Sequence, residues 1–167
     1  MKRHAGFTLI ELLITITIMV ILLTLSVVTL RANQANARDE ERKTDASVIA
    51  QQLENYFTSG SDNAVTYAPG EYPPTQYMNT EAGIRLALRD IDPKVLRAPG
   101  VSDASPVSLT VASDIAVPAP TIGTYIYQPL TTAGALCQAP SDECRKFTLY
   151  YALETNPAVQ SIVSKNQ

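Results

Sequence analysis

Beyond residue 4 the sequence contains no histidine; His4 is the sole one in the chain. That removes a Ser-His-Asp hydrolase site, a Cys-His nucleophile pair and any histidine-rich metal site from everything downstream. A glycine-rich phosphate loop and a dinucleotide fingerprint are also missing. Only carboxylate chemistry is left, and no pair among the ten acids after residue 57 has a spacing that singles it out. No enzyme, catalytic residue, metal or cofactor is therefore expected. Basic charge is equally sparse. Residues 31–57 carry four bases against five acids, and residues 58–167 carry seven against ten. Such a balance forms no basic face for phosphate, and no direct nucleic-acid site is expected.

What the sequence does have is one long apolar run. Residues 7–30 hold a single acid, Glu11, and no base, with Lys2 and Arg3 ahead of them. As a helix this stretch is about 36 Å long, enough to cross a bilayer core with some tilt. Thr15, Thr17, Thr24, Ser26 and Thr29 fit there because their hydroxyls can bond to carbonyls of the preceding turn. Glu11 is the exception. A carboxylate in this setting costs on the order of a few kcal/mol, and such residues usually have a partner and a task. The bland alternative is a side chain near the helix end that reaches the headgroups.

Residues 1–6, Met-Lys-Arg-His-Ala-Gly, followed by Phe7-Thr8-Leu9-Ile10-Glu11-Leu12-Leu13, closely resemble the prepilin signal of type IV pilins and type II secretion pseudopilins. The shared features are a short basic leader ending in Gly, then Phe, then an apolar run with Glu at its fifth residue. The resemblance implies that a prepilin peptidase cuts between Gly6 and Phe7 and methylates the new amine of Phe7. It also implies that Glu11 compensates the N-terminal charge of a neighbouring subunit during assembly. Phe7 and Glu11 lie four residues apart on one helix face, so the two charges sit at similar depth. Many type IV pilins have a glycine where this chain has Val20 and a proline where it has Val28. With neither breaker present, a continuous helix is expected here.

The helical pattern continues past Leu30 with no Gly or Pro until Gly60. Residues 31–45 have only alanines as apolar side chains, which describes a thin, solvated helix with a wetted charged face and an Asp39–Lys43 pair at i,i+4. An apolar stripe follows at Ala46, Ile49, Ala50, Leu53, Tyr56 and Phe57, one helix face that needs a sheet to cover it. Gly60 suits a left-handed helix stop. A helix over residues 7–58 would be about 78 Å long. Ala37-Arg38-Asp39-Glu40-Glu41-Arg42-Lys43-Thr44-Asp45, the stripe, Tyr56-Phe57 and later Gly70-Glu71-Tyr72-Pro73 resemble the neck and head of bacterial pseudopilin-like pilins.

Residues 60–78 read as a loop, and residues 80–91 as a short amphipathic helix with Ile84, Ala87, Leu88 and Ile91 on one side, stopped by Pro93. Three strands are expected: around Val107, Leu109 and Val111; over residues 125–128, held short by Pro118, Pro120 and Pro129; and through Phe147, Leu149, Tyr151 and Leu153. The fold expected is α+β: a long N-terminal helix, its first half transmembrane, packed through its second half on a small antiparallel sheet of three or four strands. The resemblance implies the same pilin fold. The tyrosines read as core and edge packing. The domains would be a leader at 1–6, the membrane and assembly half of the helix at 7–30, its amphipathic half at 31–59, and a head at 60–167.

Charges counted within the relevant window favour the reverse membrane orientation, since Arg31, Arg38, Arg42 and Lys43 outnumber Lys2 and Arg3. The leader and the cysteines place the head outside instead. Cys137 and Cys144, in a domain outside the cytoplasm, are expected to form a disulfide worth roughly 2 to 3 kcal/mol. Asp142 and Glu143 between them resemble the calcium loop of some pseudopilins, but two acids are too few for a site, and none is assigned.

The function expected is a filament subunit. Its partners would be other copies of itself and related pilins, prepilin peptidase, the inner-membrane assembly platform, and membrane lipid before assembly. It would start as a single-pass protein of the cytoplasmic membrane and end in an extracellular or periplasmic filament. Two other readings stand beside it. One is a secreted protein with a conventional signal peptide cut after Ala35-Asn36-Ala37. The other is a membrane-anchored, adhesin-like binding module that never polymerises.

Overall fold

A computed structural model describes residues 8–60, 69–102 and 107–166. The chain divides into two compact units, residues 1–37 and 38–167. One helix, α1 (Leu9–Ser59), contributes to both. It starts where Thr8 supplies a cap: its Oγ1 accepts from the Glu11 amide at 3.3 Å, the N-cap and N3 positions of a capping box. It runs unbroken, as the absence of Gly and Pro predicts. Within the first unit Thr15, Thr17, Thr24, Ser26 and Thr29 each donate to a carbonyl one turn back, at 2.8 to 3.0 Å. Those bonds remove the hydroxyls' demand for water, so the run is apolar in effect. At the other end Gly60 adopts φ 69°, and its amide closes on the Tyr56 carbonyl at 2.8 Å. A side chain at that φ would be strained, which is why the helix stops at a glycine.

In the second unit the expected stripe is the core face of α1. Ala46, Ile49, Ala50, Leu53 and Tyr56 are buried, and Phe57 packs at the margin. Two short helices follow. α2 (Thr75–Met78) lies within the stretch read from sequence as loop, and α3 (Glu81–Ala87) is shorter than the helix expected over residues 80–91. Thr80 caps α3 by accepting from the Gly83 amide at 3.1 Å. Leu88 leaves helical geometry at φ −113°, ψ 44°. The turn that follows lets Leu88, Ile91 and Leu96 all reach the core, which a straight helix of that length could not arrange.

The sheet has four strands in the order β1 (Leu109–Val111), β2 (Tyr125–Thr131), β3 (Cys144–Tyr151), β4 (Gln160–Val163). It is mixed, which corrects the antiparallel expectation. β2 pairs with β3 and β3 with β4 antiparallel, but β1 pairs with β2 in parallel, Leu109 opposite Tyr125. The reason lies in residues 112–124, which form a crossover rather than a reversal. The buried Gln128 amide holds that crossover in place by donating to the carbonyls of Asp114 (2.9 Å) and Ala116 (3.1 Å).

Pro129 does not end β2, as the sequence suggested, but sits inside it opposite Phe147. Phe147 directs its amide and carbonyl to Ser164 on its other side, so this pair is a non-bonded one. The missing N–H of Pro129 therefore faces away from β3, where no ladder bond is lost. β4 went unread because Ile162 is its one apolar residue that packs against the core. Leu153 lies just beyond β3 yet is still buried.

Between α1 and the sheet lie Tyr125, Tyr127, Phe147 and Leu149, each at most 1% exposed. Phe57, Tyr72 and Phe147 stack in sequence, with centroids 4.6 and 4.9 Å apart. The tyrosine hydroxyls find partners, Tyr127 on the Pro73 carbonyl at 2.9 Å and Tyr72 on Glu54 at 2.9 Å. This is the packing role expected of them. Cys137 and Cys144 are disulfide-bonded and buried. Their carbonyls accept from Thr75 and Tyr72, tying the segment before α2 to the sheet. The architecture is α+β and pilin-like.

Candidate functional site

Three groups of residues bear on function, and each belongs to a single unit. The first is the N-terminal motif. Gly6 and Phe7 lie outside the described residues. Glu11 stands in the first turn of α1, where the helix dipole favours an acid. Its backbone is engaged by Thr8, but its carboxylate has no ion-pair partner among the described residues. The neighbours Leu9, Ile10, Leu12 and Leu13 are all more than half exposed. The apolar window of this helix has a mean hydropathy of 2.7 and none of it is buried, so it is long and apolar enough to cross a membrane. A lone carboxylate on an uncovered apolar helix is a group that requires something outside the chain.

The second group was missed from sequence. Residues 38–45 were expected to be a wetted face with an Asp39–Lys43 pair. Instead Asp39 and Arg42 are each 2% exposed, and Lys43 pairs with Glu40 at 2.7 Å. Arg42 is held from every side. Its Nη1 donates to Asp39 at 2.9 Å, Nε to the Ile122 carbonyl at 2.9 Å, and Nη2 to the Pro99 carbonyl at 2.9 Å, with Glu154 at 2.7 Å. Asp39 also accepts from the amides of Glu154 (2.8 Å) and Thr155 (2.9 Å) and from the Thr155 hydroxyl (2.7 Å). Arg38 clamps Glu154 through Nε and Nη2 at 2.7 and 2.6 Å. Two arginines and two carboxylates thus fasten α1 to the segments around residues 99, 122 and 154. A sequence signal existed in the spacing: Arg38, Asp39, Arg42 and Asp45 share one side of the helix in continuity with the Ala46 and Ile49 stripe.

The electrostatics of this cluster follow from its packing. Burial alone would raise the Asp39 carboxyl, but four hydrogen bonds outweigh it and hold it at about 2. Arg38, and then Arg42, hold Glu154 down at about 2 against the effect of burial. Asp45, one turn further on, goes the other way. Burial pushes it up to about 6, opposed by the Tyr125 hydroxyl at 3.1 Å and aided by nearby Glu41.

The third group is the disulfide loop. Asp142 caps it by accepting from the amides of Gln138 (2.8 Å) and Ala139 (3.0 Å), and Glu143 faces Arg145 at 3.5 Å. No cluster of three metal-ligating side chains occurs among the described residues.

Comparison with known families bears on the first group. Residues 1–27 match the family described as the prokaryotic N-terminal methylation motif. The chain carries a prepilin signal. This motif spans Gly6, Phe7 and Glu11 and marks the substrates of prepilin processing in type IV pilins and pseudopilins. No curated protein and no solved structure matches the chain. The prepilin signal therefore accounts for the start of α1, while the reading of the head rests on its own packing.

Proposed function

We propose that this chain is a structural subunit of a type IV pilus or secretion pseudopilus and not an enzyme. Prepilin peptidase cuts it between Gly6 and Phe7 and methylates the new amine, and an inner-membrane platform polymerises it through α1. The observation that carries this reading is the prepilin signal at the head of an apolar helix whose only charge, Glu11, lacks a partner within the chain. Before assembly lipid covers that helix, with the head outside the cytoplasmic membrane, where a disulfide persists. Afterwards other copies cover it, and an opposite charge on a neighbour's N-terminus meets Glu11.

The cleavage pattern at residues 35–37 supports the secreted alternative poorly, because those residues lie inside continuous helix. A non-polymerising anchored module shares the helix but gives Glu11 no task. The test of processing is Gly6→Val, which places a branched side chain at the bond the peptidase must approach. The variant is expected to stay uncut in the membrane, and wild-type subunit from sheared filaments to begin at Phe7. Mature wild-type protein beginning at Arg38, or Gly6→Val protein beginning at Phe7, would overturn the cleavage assignment.

A further inference from the structure

The sheet of the second unit is open at both ends. Along β1, the Ser108 carbonyl accepts from the Tyr125 amide at 3.0 Å and the Ala112 amide donates to the Tyr127 carbonyl at 2.8 Å. Residues 108, 110 and 112 therefore face β2, and Leu109 and Val111 turn their amides and carbonyls to the free edge. Along β4, Ser164 is the bonded partner of Phe147, and the register sets Ile162 opposite Leu149. Alternation then turns Ser161 and Val163 outward. None of these four residues has a backbone partner outside the sheet among the described residues. Neither strand carries a charge or a proline, the usual devices against edge pairing.

The two edges also match each other. β1 is parallel to β2, and β3 is antiparallel to both β2 and β4, so β4 runs in the same direction as β1. Placed side by side with Leu109 opposite Ile162, they satisfy a parallel ladder. The Leu109 amide donates to the Ser161 carbonyl, the Val163 amide to the Leu109 carbonyl, and the Val111 amide to the Val163 carbonyl. In that register the faces agree as well. Leu109 is buried, and Ile162 packs against the same core. Thr110 and Val163 both lie exposed. A groove of about 280 Å³, floored by Met78, Ile84 and Leu109, lies beside β1 and receives the incoming edge.

From this match of direction, hydrogen-bond phase and facing, we infer that β4 of one copy adds in parallel to β1 of the next, so that the sheets of successive heads join. The inference deepens the filament reading and rests on it. A β1-to-β4 contact is heterologous: each copy uses one edge and leaves the other free, so it propagates instead of closing into a dimer. Three hydrogen bonds are too few to hold free heads together against their loss of motion. They act once the helices of neighbouring subunits are packed and the edges are at high effective concentration.

The test is Thr110→Cys with Val163→Cys in the full chain, both exposed and opposite each other in the proposed register. The native cysteines are paired, so the new thiols are the ones free to react. Mildly oxidised, sheared filaments are expected to run on non-reducing gels as a ladder of covalent multimers. Each single variant is expected to run as a monomer. Filaments of the double variant without a ladder overturn the pairing while leaving the filament reading intact. Absence of wild-type filaments overturns both. Should the double variant not accumulate, Val163→Pro removes one outward donor without touching the β3 ladder. Its processed subunit is expected at wild-type level in the membrane and reduced several-fold in filaments, and a wild-type filament yield overturns the pairing.

Discussion

Arg42 divides its donors among two carboxylates and two carbonyls that come from three distant parts of the chain. Deleting one member of a buried ionic cluster leaves the survivors desolvated and short of a partner. Arg42→Met is therefore expected to cost about 3 kcal/mol of stability. Lys43→Ala, which removes only an exposed pair with Glu40, should stay within about 0.5 kcal/mol. Urea unfolding of the detergent-solubilised chain, followed by tyrosine fluorescence, measures both, and similar costs for the two would sink the assignment of Arg42 as the fastening point. Asp45 carries the opposite sign. Its folded pKa is raised to about 6, so its contribution is most favourable below about 4 and is lost as pH rises through 6. Asp39 and Glu154, held at about 2, contribute stability that is present above about 4 and lost as pH falls towards 2. Stability should thus peak between about pH 4 and 6. Asp45→Asn should stabilise by about 1 to 2 kcal/mol at pH 7.5 and by nothing near pH 4. A constant difference across that range would contradict the burial of a charged Asp45.

At the scale of elements, the long helix was legible because its signals are local: no breaker after residue 7, a stripe of apolar residues at helical spacing, and Gly60 at the end. β2 and β3 were legible for the same reason, from aromatic and β-branched alternation. The ionic cluster was not legible, since the same charge pattern suits a wetted face, and the groups that bury Arg42 arrive from residues 99, 122 and 154. The direction of β1 was hidden because its partner choice is decided by the crossover at residues 112–124 and the Gln128 side chain, neither of which alters the strand's own pattern. α2 was hidden by its Pro- and Tyr-rich surroundings, yet it shapes its neighbour. A Cβ on Gly83 would stand 1.7 Å from the Tyr77 carbonyl oxygen, which no rotamer change relieves because the obstacle is backbone. Gly83→Ala should force α2 and α3 apart and cost at least about 2 kcal/mol, although alanine ordinarily favours a helix. A gain in stability by the same unfolding measurement would show that the two helices are not in contact there.

For the whole molecule the decisive quantity is the fate of Glu11 when α1 passes from lipid to other copies. In the membrane the carboxylate and the amine of a processed Phe7 lie near the headgroups and keep part of their water. Packed among helices they lose it, and each must meet an opposite charge on its own or an adjacent subunit. Removing one member of such a pair costs about 3 to 5 kcal/mol, because the other stays charged and buried. Glu11→Val is therefore expected to permit insertion and cleavage after Gly6 yet sharply reduce polymerisation. An anchored module that never assembles gives the opposite expectation, since an apolar side chain at this position makes the membrane segment more favourable. The Thr8–Glu11 capping box supplies a third expectation, in which Glu11 serves only its own helix end. Glu11→Gln separates it from the assembly role: glutamine keeps the N3 capping function but brings no charge to the neighbour's amine. The measurement is processed subunit in sheared filaments relative to the membrane pool. Loss with both valine and glutamine assigns the carboxylate's charge to assembly. Loss with valine and recovery with glutamine assigns Glu11 to the helix cap, and wild-type yield with both removes it from assembly altogether.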